Sequence, residues 1–326
     1  MSAAKAKPER HIVTVATDNC RRGLSILMAS LAKQGWTNPV TVFVPQGDPL
    51  DAMPNCTIVK IPAWWAGVKK IEECRNYAAL LKIELMLTDI FPDGASVLYV
   101  DGSDTMFLDK PEKLFALCEK SGAQVAARPF QQMNLIRGGR RLAAKNRLCA
   151  VYGEQFGREC DYVNNGVIWW RVGAFSRLWG IAWKNAEVSE MDAIIPTSRD
   201  SSNALVGDQQ TFNLIWRHFI GSAETYSIPA QWNYRGGTRV NALLIKEGKL
   251  VDNDGLVVKL AHCSGPVAFR DDIVNLGTDG SGYEIRDGGV GLAVLRPSAA
   301  AAKSRRCPHC GGKIIKKLQR RYGGKL

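Results

Sequence analysis

Ala95-Ser-Val-Leu-Tyr-Val-Asp101-Gly-Ser-Asp104-Thr-Met-Phe-Leu108 is an apolar run that stops at two carboxylates and then resumes. Residues 97–100 are short, unbroken and apolar, which suits a strand buried on both faces. In an open α/β sheet the ligand crevice lies outside the carboxyl ends of the strands. Asp101 and Asp104 are thereby delivered to the place where a substrate binds. Two close carboxylates repel each other and are costly to desolvate unless they share a cation. The pair points to a divalent metal, and a metal in such a crevice commonly serves a phosphate-bearing substrate. The competing reading makes both aspartates turn residues, bonded to the local backbone. A phosphatase of the haloacid type needs carboxylates two apart, and position 103 is serine. A Walker-B aspartate needs an upstream glycine-rich loop with lysine, and G-x-x-x-x-G-K occurs nowhere in the chain.

Outward from this stretch, strands and helices alternate. Residues 11–18 read as a first buried strand ending at polar groups, and residues 40–44 and 56–61 as the next two. Residues 24–34 have helical spacing, with Leu24, Leu27, Met28 and Leu31 on one face and Gly35 as the stop. A helix over residues 77–90 ends at Phe91-Pro-Asp-Gly94. Residues 124–128 and 166–170 look like later strands, and residues 175–185 and 209–218 like helices, ahead of a short strand at 256–260. The alternation predicts an α/β fold: a Rossmann-like, mostly parallel sheet with helices on both faces.

Four further segments carry ligand-type residues. Tyr162-Val-Asn164-Asn165-Gly166 places amides before an apolar run, and Gly207-Asp208-Gln209-Gln210 opens a helix with acid and amide groups. Gln231-Trp232-Asn233-Tyr234 sets an amide between two aromatics, and His262-Cys-Ser-Gly265-Pro266 follows an apolar stretch. Together with Asp101 and Asp104 these resemble the metal-dependent glycosyltransferases of GT-A fold, in the GT8-like group. The match is nearest to the glycosyltransferase domain of lysyl hydroxylases and procollagen sugar transferases, whose metal motif is D-x-x-D. The resemblance runs over residues 10–275, with five motifs in the family's order.

The resemblance implies a nucleotide-sugar donor, a UDP-sugar, and a metal held by Asp101, Asp104 and His262. It implies Mn²⁺ or Mg²⁺, and an imidazole beside two carboxylates favours Mn²⁺. It places uridine at Ala16-Thr17-Asp18 and makes Gly102, Ser103, Asn164, Asn165 and Gly265 donor-binding. Asp208 becomes the candidate catalytic contact to the sugar, with Gln209 the runner-up. Each has a bland alternative: Asp208 as a helix N-cap, Asn164 as a turn residue, His262 as a buried and satisfied histidine. Lys82, on the helix before the metal strand, is a candidate for the diphosphate or a residue of a solvated helix face; Arg75 is of the same kind. Trp232 and Tyr234 are candidates for stacking on a sugar or for the core. Many GT8-like members continue H-x-x-G-x-x-K-P-W, whereas Ala268 stands at the lysine position here, with Arg270 as its candidate substitute.

The 326 residues have 46% hydrophobic content and 23% charge, ordinary values for a globular protein. No apolar segment reaches transmembrane length, the first ten residues lack a secretory pattern, and the nine cysteines are odd in number. These features lead to the expectation of a cytoplasmic protein with reduced thiols. Residues 303–326 hold nine Lys or Arg and no acid, so 12 less 9 leaves +3 on the rest. The expected organisation is a flexible terminus at 1–9, a glycosyltransferase domain at 10–296, a linker at 297–304 and a basic tail at 305–326.

Within the tail, Cys307-Pro-His-Cys310 is half of a zinc ribbon. A structural zinc needs four ligands, so the site requires a second tail in a homodimer or a distant cysteine with His309; the other reading is a knuckle without metal. The basic residues suit an anionic partner, nucleic acid ahead of a membrane surface. That combination makes modified DNA a candidate acceptor. The rival readings are a nucleotidyltransferase, a nucleic-acid-binding protein with an inactive transferase-like body, and a transferase for a surface polysaccharide or lipid.

Overall fold

The computed structural model describes residues 8–62, 77–130, 162–193, 212–213, 215–216, 222–234, 244–252, 254–262, 271–278, 282–284 and 293–295. The chain divides into two compact units, Met1–Gly280 and Ser281–Leu326. In the second, Gly282–Glu284 and Ala293–Leu295 pair as an antiparallel hairpin. The expected linker and the basic tail lie outside the described residues.

The first unit is built on a seven-stranded sheet. Its strands are β1 (Arg10–Val15), β2 (Val40–Pro45), β3 (Cys56–Ile61), β4 (Ser96–Val100), β6 (Val125–Phe130), β7 (Tyr162–Arg171) and β8 (Thr225–Ser227), in the order β3-β2-β1-β4-β7-β6-β8. Between β4 and β6 in sequence lies β5 (Thr105–Phe107), which belongs to another ladder. Four of the sheet's neighbouring pairs are parallel. Only β7 runs against its neighbours β4 and β6. The sheet is mostly parallel, as the alternation predicted.

All five residues of β4 are buried. Burying such a Val or Leu side chain stabilises the fold by roughly 1.5–3 kcal/mol. Helix α1 (Arg21–Lys33) buries Leu24, Leu27, Met28 and Leu31 against Ile12, Val42 and Val100. It ends as the sequence predicted: Gly35 has φ +83°, and Gly35 N and Trp36 N donate to Ala32 O and Leu31 O, both at 3.0 Å. That is the two-bond C-terminal cap, which needs a left-handed residue at its turn.

Among the described residues of this unit are four more helices of eight or more residues: α2 (Tyr77–Leu87), α3 (Pro111–Ser121), α4 (Ala174–Ala193) and α5 (Asp271–Thr278). Helices α2 and α4 pack on one face of the sheet, where Trp179, Trp183, Phe212 and Trp216 join β7. On the other side α3 buries Leu114 and Phe115 against Trp36 and Trp169. Its Glu119 pairs with Arg10 at the start of β1. Outside the sheet, β9 (Leu244–Lys246) and β10 (Lys249–Val251) form a hairpin. Strand β11 (Leu260–His262) pairs antiparallel with β5.

Two expectations are corrected. The strand expected at 256–260 is β11, displaced toward the carboxyl end, so His262 lies within it rather than beyond it; Val257 makes only an isolated bridge to Val251. The strand expected at 166–170 begins at Tyr162, and the amides of Asn164 and Asn165 are therefore strand residues, not a turn before a strand.

Candidate metal and donor site

The site forms where the carboxyl end of β4 meets β7 and β11. Because β7 is antiparallel to β4, its early residues lie beside the residues that follow β4. Asp101 N donates to Gly166 O at 2.8 Å, continuing the β4–β7 ladder. Strand β11 brings His262 opposite Thr105. The Thr105 hydroxyl bonds back to the Asp101 carbonyl and closes the turn between the two aspartates.

Asp101, Asp104 and His262 each offer a ligand atom, and these atoms lie within 4.8 Å of one another. His262 Nε2 is 3.3 Å from Asp101 Oδ2 and 3.5 Å from Asp104 Oδ1. Both His262 Nε2 and Asp104 Oδ1 are buried without a hydrogen-bond partner. At 3.3–3.5 Å they make ion pairs without a hydrogen bond, and a cation set between them would satisfy both. Two carboxylate oxygens and one imidazole nitrogen fit a divalent ion with positions left for a substrate.

The glycines shape this space. A Cβ on Gly166 would sit 2.1 Å from His262 Cε1 and 2.6 Å from Asp101 Oδ2. A Cβ on Gly23, in α1, would sit 2.1 Å from the Ser103 carbonyl oxygen, so the exposed Ser103 rests on the start of that helix. Gly102 is buried, and a Cβ there would press to 2.7 Å from Thr14 Oγ1.

Lys82 holds the charge balance. It is 4% exposed, and its Nζ lies 3.2 Å from Asp101 Oδ1, 3.5 Å from the Asn165 carbonyl and 4.9 Å above the Tyr99 ring. Its reading as part of a solvated helix face is thereby corrected: Leu80, Leu81, Ile83 and Leu85 around it are all buried too. The Tyr99 hydroxyl donates to the same Asp101 oxygen. Burial alone would push the Asp101 carboxyl up, but Lys82, then His262 and Tyr99, outweigh it and hold it well below the usual range. Burial likewise pushes the His262 imidazolium down, and Asp101 and Asp104 reverse that and raise it to about 9. Without a metal the cluster is two carboxylates balanced by two buried cations.

The other expected residues fall into place around it. Ala16, Thr17 and Asp18 follow β1, whose neighbour is β4. The Thr17 hydroxyl bonds Asn19, and Asp18 N donates to Asp48 Oδ1 at 3.0 Å, an acceptor shared with Leu50 N. Asn164 and Asn165 are each 3% exposed, and Asn164 Oδ1 accepts from Gly166 N and from Asn233 Nδ2, both at 3.0 Å. Trp232 is fully buried beneath Lys259, so its reading as a sugar-stacking ring is corrected to a core residue. Tyr234 is partly open, with the Arg128 guanidinium 6.0 Å from its ring. Asp208, Gln209, Gly265, Arg75, Ala268, Arg270, Cys307 and Cys310 lie outside the described residues.

Tyr99 and Asp48 escaped the sequence reading, and Lys82 and Asn233 were singled out there but not as a buried ion and a histidine partner. Tyr99 was recoverable, because it lies two before Asp101 and side chains alternate along a strand. Lys82 as a buried ion was signalled by the apolar residues on every side of it. Asp48 and Asn233 act over long range and leave no local pattern.

No protein-family model matches the chain, and no curated protein matches it. Solved structures do. The galactosyltransferase LgtC in complex with donor and acceptor sugar analogs shares 13% identity, with 82% of this chain and 95% of that chain covered at a TM-score of 0.50. This chain has the GT-A fold. Mouse xyloside xylosyltransferase 1 shares 12% identity over 81% of this chain and 100% of its own, at a TM-score of 0.48.

Proposed function

We infer that this chain is a metal-dependent glycosyltransferase that moves a hexose from a UDP-sugar to an acceptor hydroxyl. The observation that carries the reading is the meeting of Asp101, Asp104 and His262 at a strand end of a GT-A fold, with two ligand atoms orphaned. The imidazole favours Mn²⁺ over Mg²⁺. When bound, the ion acts as a Lewis acid on the leaving diphosphate.

The chain's own residues do the rest. Ala16, Thr17 and Asp18 cradle the uracil and ribose, with Asp48 fixing their loop. Gly102 and Ser103 bring backbone close to the diphosphate. Gly166, lacking a side chain, leaves room for His262 beside Asp101. Asp208, with Gln209, meets the sugar and steadies the positive charge that develops on its ring. In the transfer, the bond between the anomeric carbon and the diphosphate oxygen breaks, the acceptor oxygen bonds to that carbon, and its proton passes to water. UDP leaves.

The acceptor reading rests on the tail. Nine basic residues without an acid suit a polyanion, and a modified base of DNA offers both the hydroxyl and the phosphates. A screen of UDP-sugars with Mn²⁺, read as UDP release, tests the enzyme reading. No metal-dependent release from any of them would leave the nucleic-acid-binding protein with an inactive body as the better account.

A further inference from the structure

His262 meets the carboxylates with one ring nitrogen, and the other is held by Asn233. Asn233 Oδ1 lies 3.0 Å from His262 Nδ1, with the two residues 0% and 1% exposed. The orientation of that amide is fixed from its far side. Asn164 Oδ1 accepts the Gly166 N–H at 3.0 Å, so the atom at that position is an oxygen. The Asn233 atom facing it at 3.0 Å must then be the NH₂ donor. Its oxygen therefore faces the ring, and an amide oxygen only accepts. Nδ1 keeps its proton, and Nε2 is the nitrogen left to a metal.

The backbone supports the same geometry. His262 N donates to Tyr234 O and Tyr234 N to Leu260 O, both at 2.9 Å. The segment bearing Asn233 is thus bound to β11 on one side, and its carbonyl accepts from Arg128 on the other.

We propose that Asn233 is a positioning residue for metal capture, holding His262 in its Nδ1–H form with Nε2 aimed between Asp101 and Asp104. The proposal rests on the metal reading above. It ties β7 to the third ligand through one amide: Gly166 N–H to Asn164, Asn164 to Asn233, Asn233 to His262. Partners of this kind change metal affinity by about 10–100-fold.

The test is Mn²⁺ binding to the full chain without nucleotide, followed by the electron paramagnetic resonance signal of the free ion. Asn233→Leu keeps the side-chain shape and removes the acceptor, and its affinity should fall by about 10–100-fold. Asn233→Asp restores an acceptor for Nδ1–H but sets an oxygen against Asn164 Oδ1, so it should recover part of that loss. Wild-type affinity in Asn233→Leu, or equal weakness in both variants, overturns the proposal. A wild-type protein that takes up no Mn²⁺ overturns the metal reading and the proposal with it, an outcome visible before any variant is made. If Asn233→Leu does not fold, imidazole ¹⁵N spectra of the wild type titrated with Mg²⁺ decide. A retained Nδ1 proton with a shifted Nε2 supports the assignment, and loss of the Nδ1 proton on binding overturns it.

Discussion

Gly166 faces Asp101 across the β4–β7 pair, its carbonyl accepting the Asp101 N–H at 2.8 Å and its missing side chain leaving room for His262. The ladder that fixes the aspartate and the gap that admits the histidine are one residue.

Gly166→Ala should therefore damage the site more than the sheet. The new methyl would meet His262 Cε1 and Asp101 Oδ2 well inside contact distance. Overpacking of this kind costs about 1–3 kcal/mol. Urea unfolding should show a loss in that range, while Mn²⁺ affinity falls further than the stability does. Unchanged Mn²⁺ affinity would show that the ion does not sit beside Gly166.

Asp101→Ala, Asp104→Ala and His262→Ala should each abolish metal-dependent UDP release. Removing one ligand takes away several kcal/mol of charge stabilisation, on the order of a thousandfold in rate. The discriminating measurement is release against Mn²⁺ concentration. Full activity of the His262 variant at low Mn²⁺ would remove the histidine from the ligand set.

Lys82→Met should destabilise the metal-free protein, by less than the roughly 3–5 kcal/mol of breaking a fully buried pair, because Asp101 is partly exposed and keeps His262 and Tyr99. Mn²⁺ should restore part of that loss, because the ion replaces the missing positive charge beside Asp101. Thermal unfolding with and without Mn²⁺ reads both effects. A variant as stable as wild type without metal would mean that solvent, not Lys82, balances Asp101.

The pH response has a defined sign. His262 is held at about 9, above its ordinary value of about 6.5. The folded protein keeps this proton where the unfolded chain has lost it. Its contribution to stability is full below pH ~6.5 and is lost as pH rises through about 9. Asp101 is depressed, so its contribution is full above pH ~4 and is lost as the solution is acidified through its folded value. For this cluster, metal-free stability should be greatest between these limits. Mn²⁺ displaces the Nε2 proton, so its affinity should rise with pH over the range in which metal-free stability falls. Urea midpoints and Mn²⁺ titrations at pH 6 and pH 8.5 check the opposed trends; parallel trends would remove His262 as their source.

Much of the fold was legible because β2 and β4 are buried on both faces, and short apolar runs such as residues 97–100 between turn residues suit that setting. The aspartates were legible as a pair closing such a run, with a turn and a shared metal both open as its meaning until β7 and β11 are placed beside it. The direction of β7 was not. Strand polarity depends on which neighbour a strand joins, not on its own residues, and it is polarity that turns Asn164 and Asn165 into buried strand amides. The same limit applies to Trp232, whose burial follows from the docking of its segment on β11 and not from its flanking residues. His262 was found through a motif, but its partner Asn233 lies 29 residues away, where no periodicity links them.

Thr105 pairs with His262 across the β5–β11 ladder, so the third ligand reaches the carboxylates only when segments far apart in sequence close on each other. Long loops lose entropy on closure before contacts offset it, and such pairings form late in folding. An ion gripped from both sides of that ladder would therefore act on a step beyond the folding barrier. It would slow the opening of the finished chain and leave the rate of its formation nearly untouched. A metal bound there would in this sense be a latch: chains made with and without it would reach their shape at the same pace, and those carrying it would keep that shape longer.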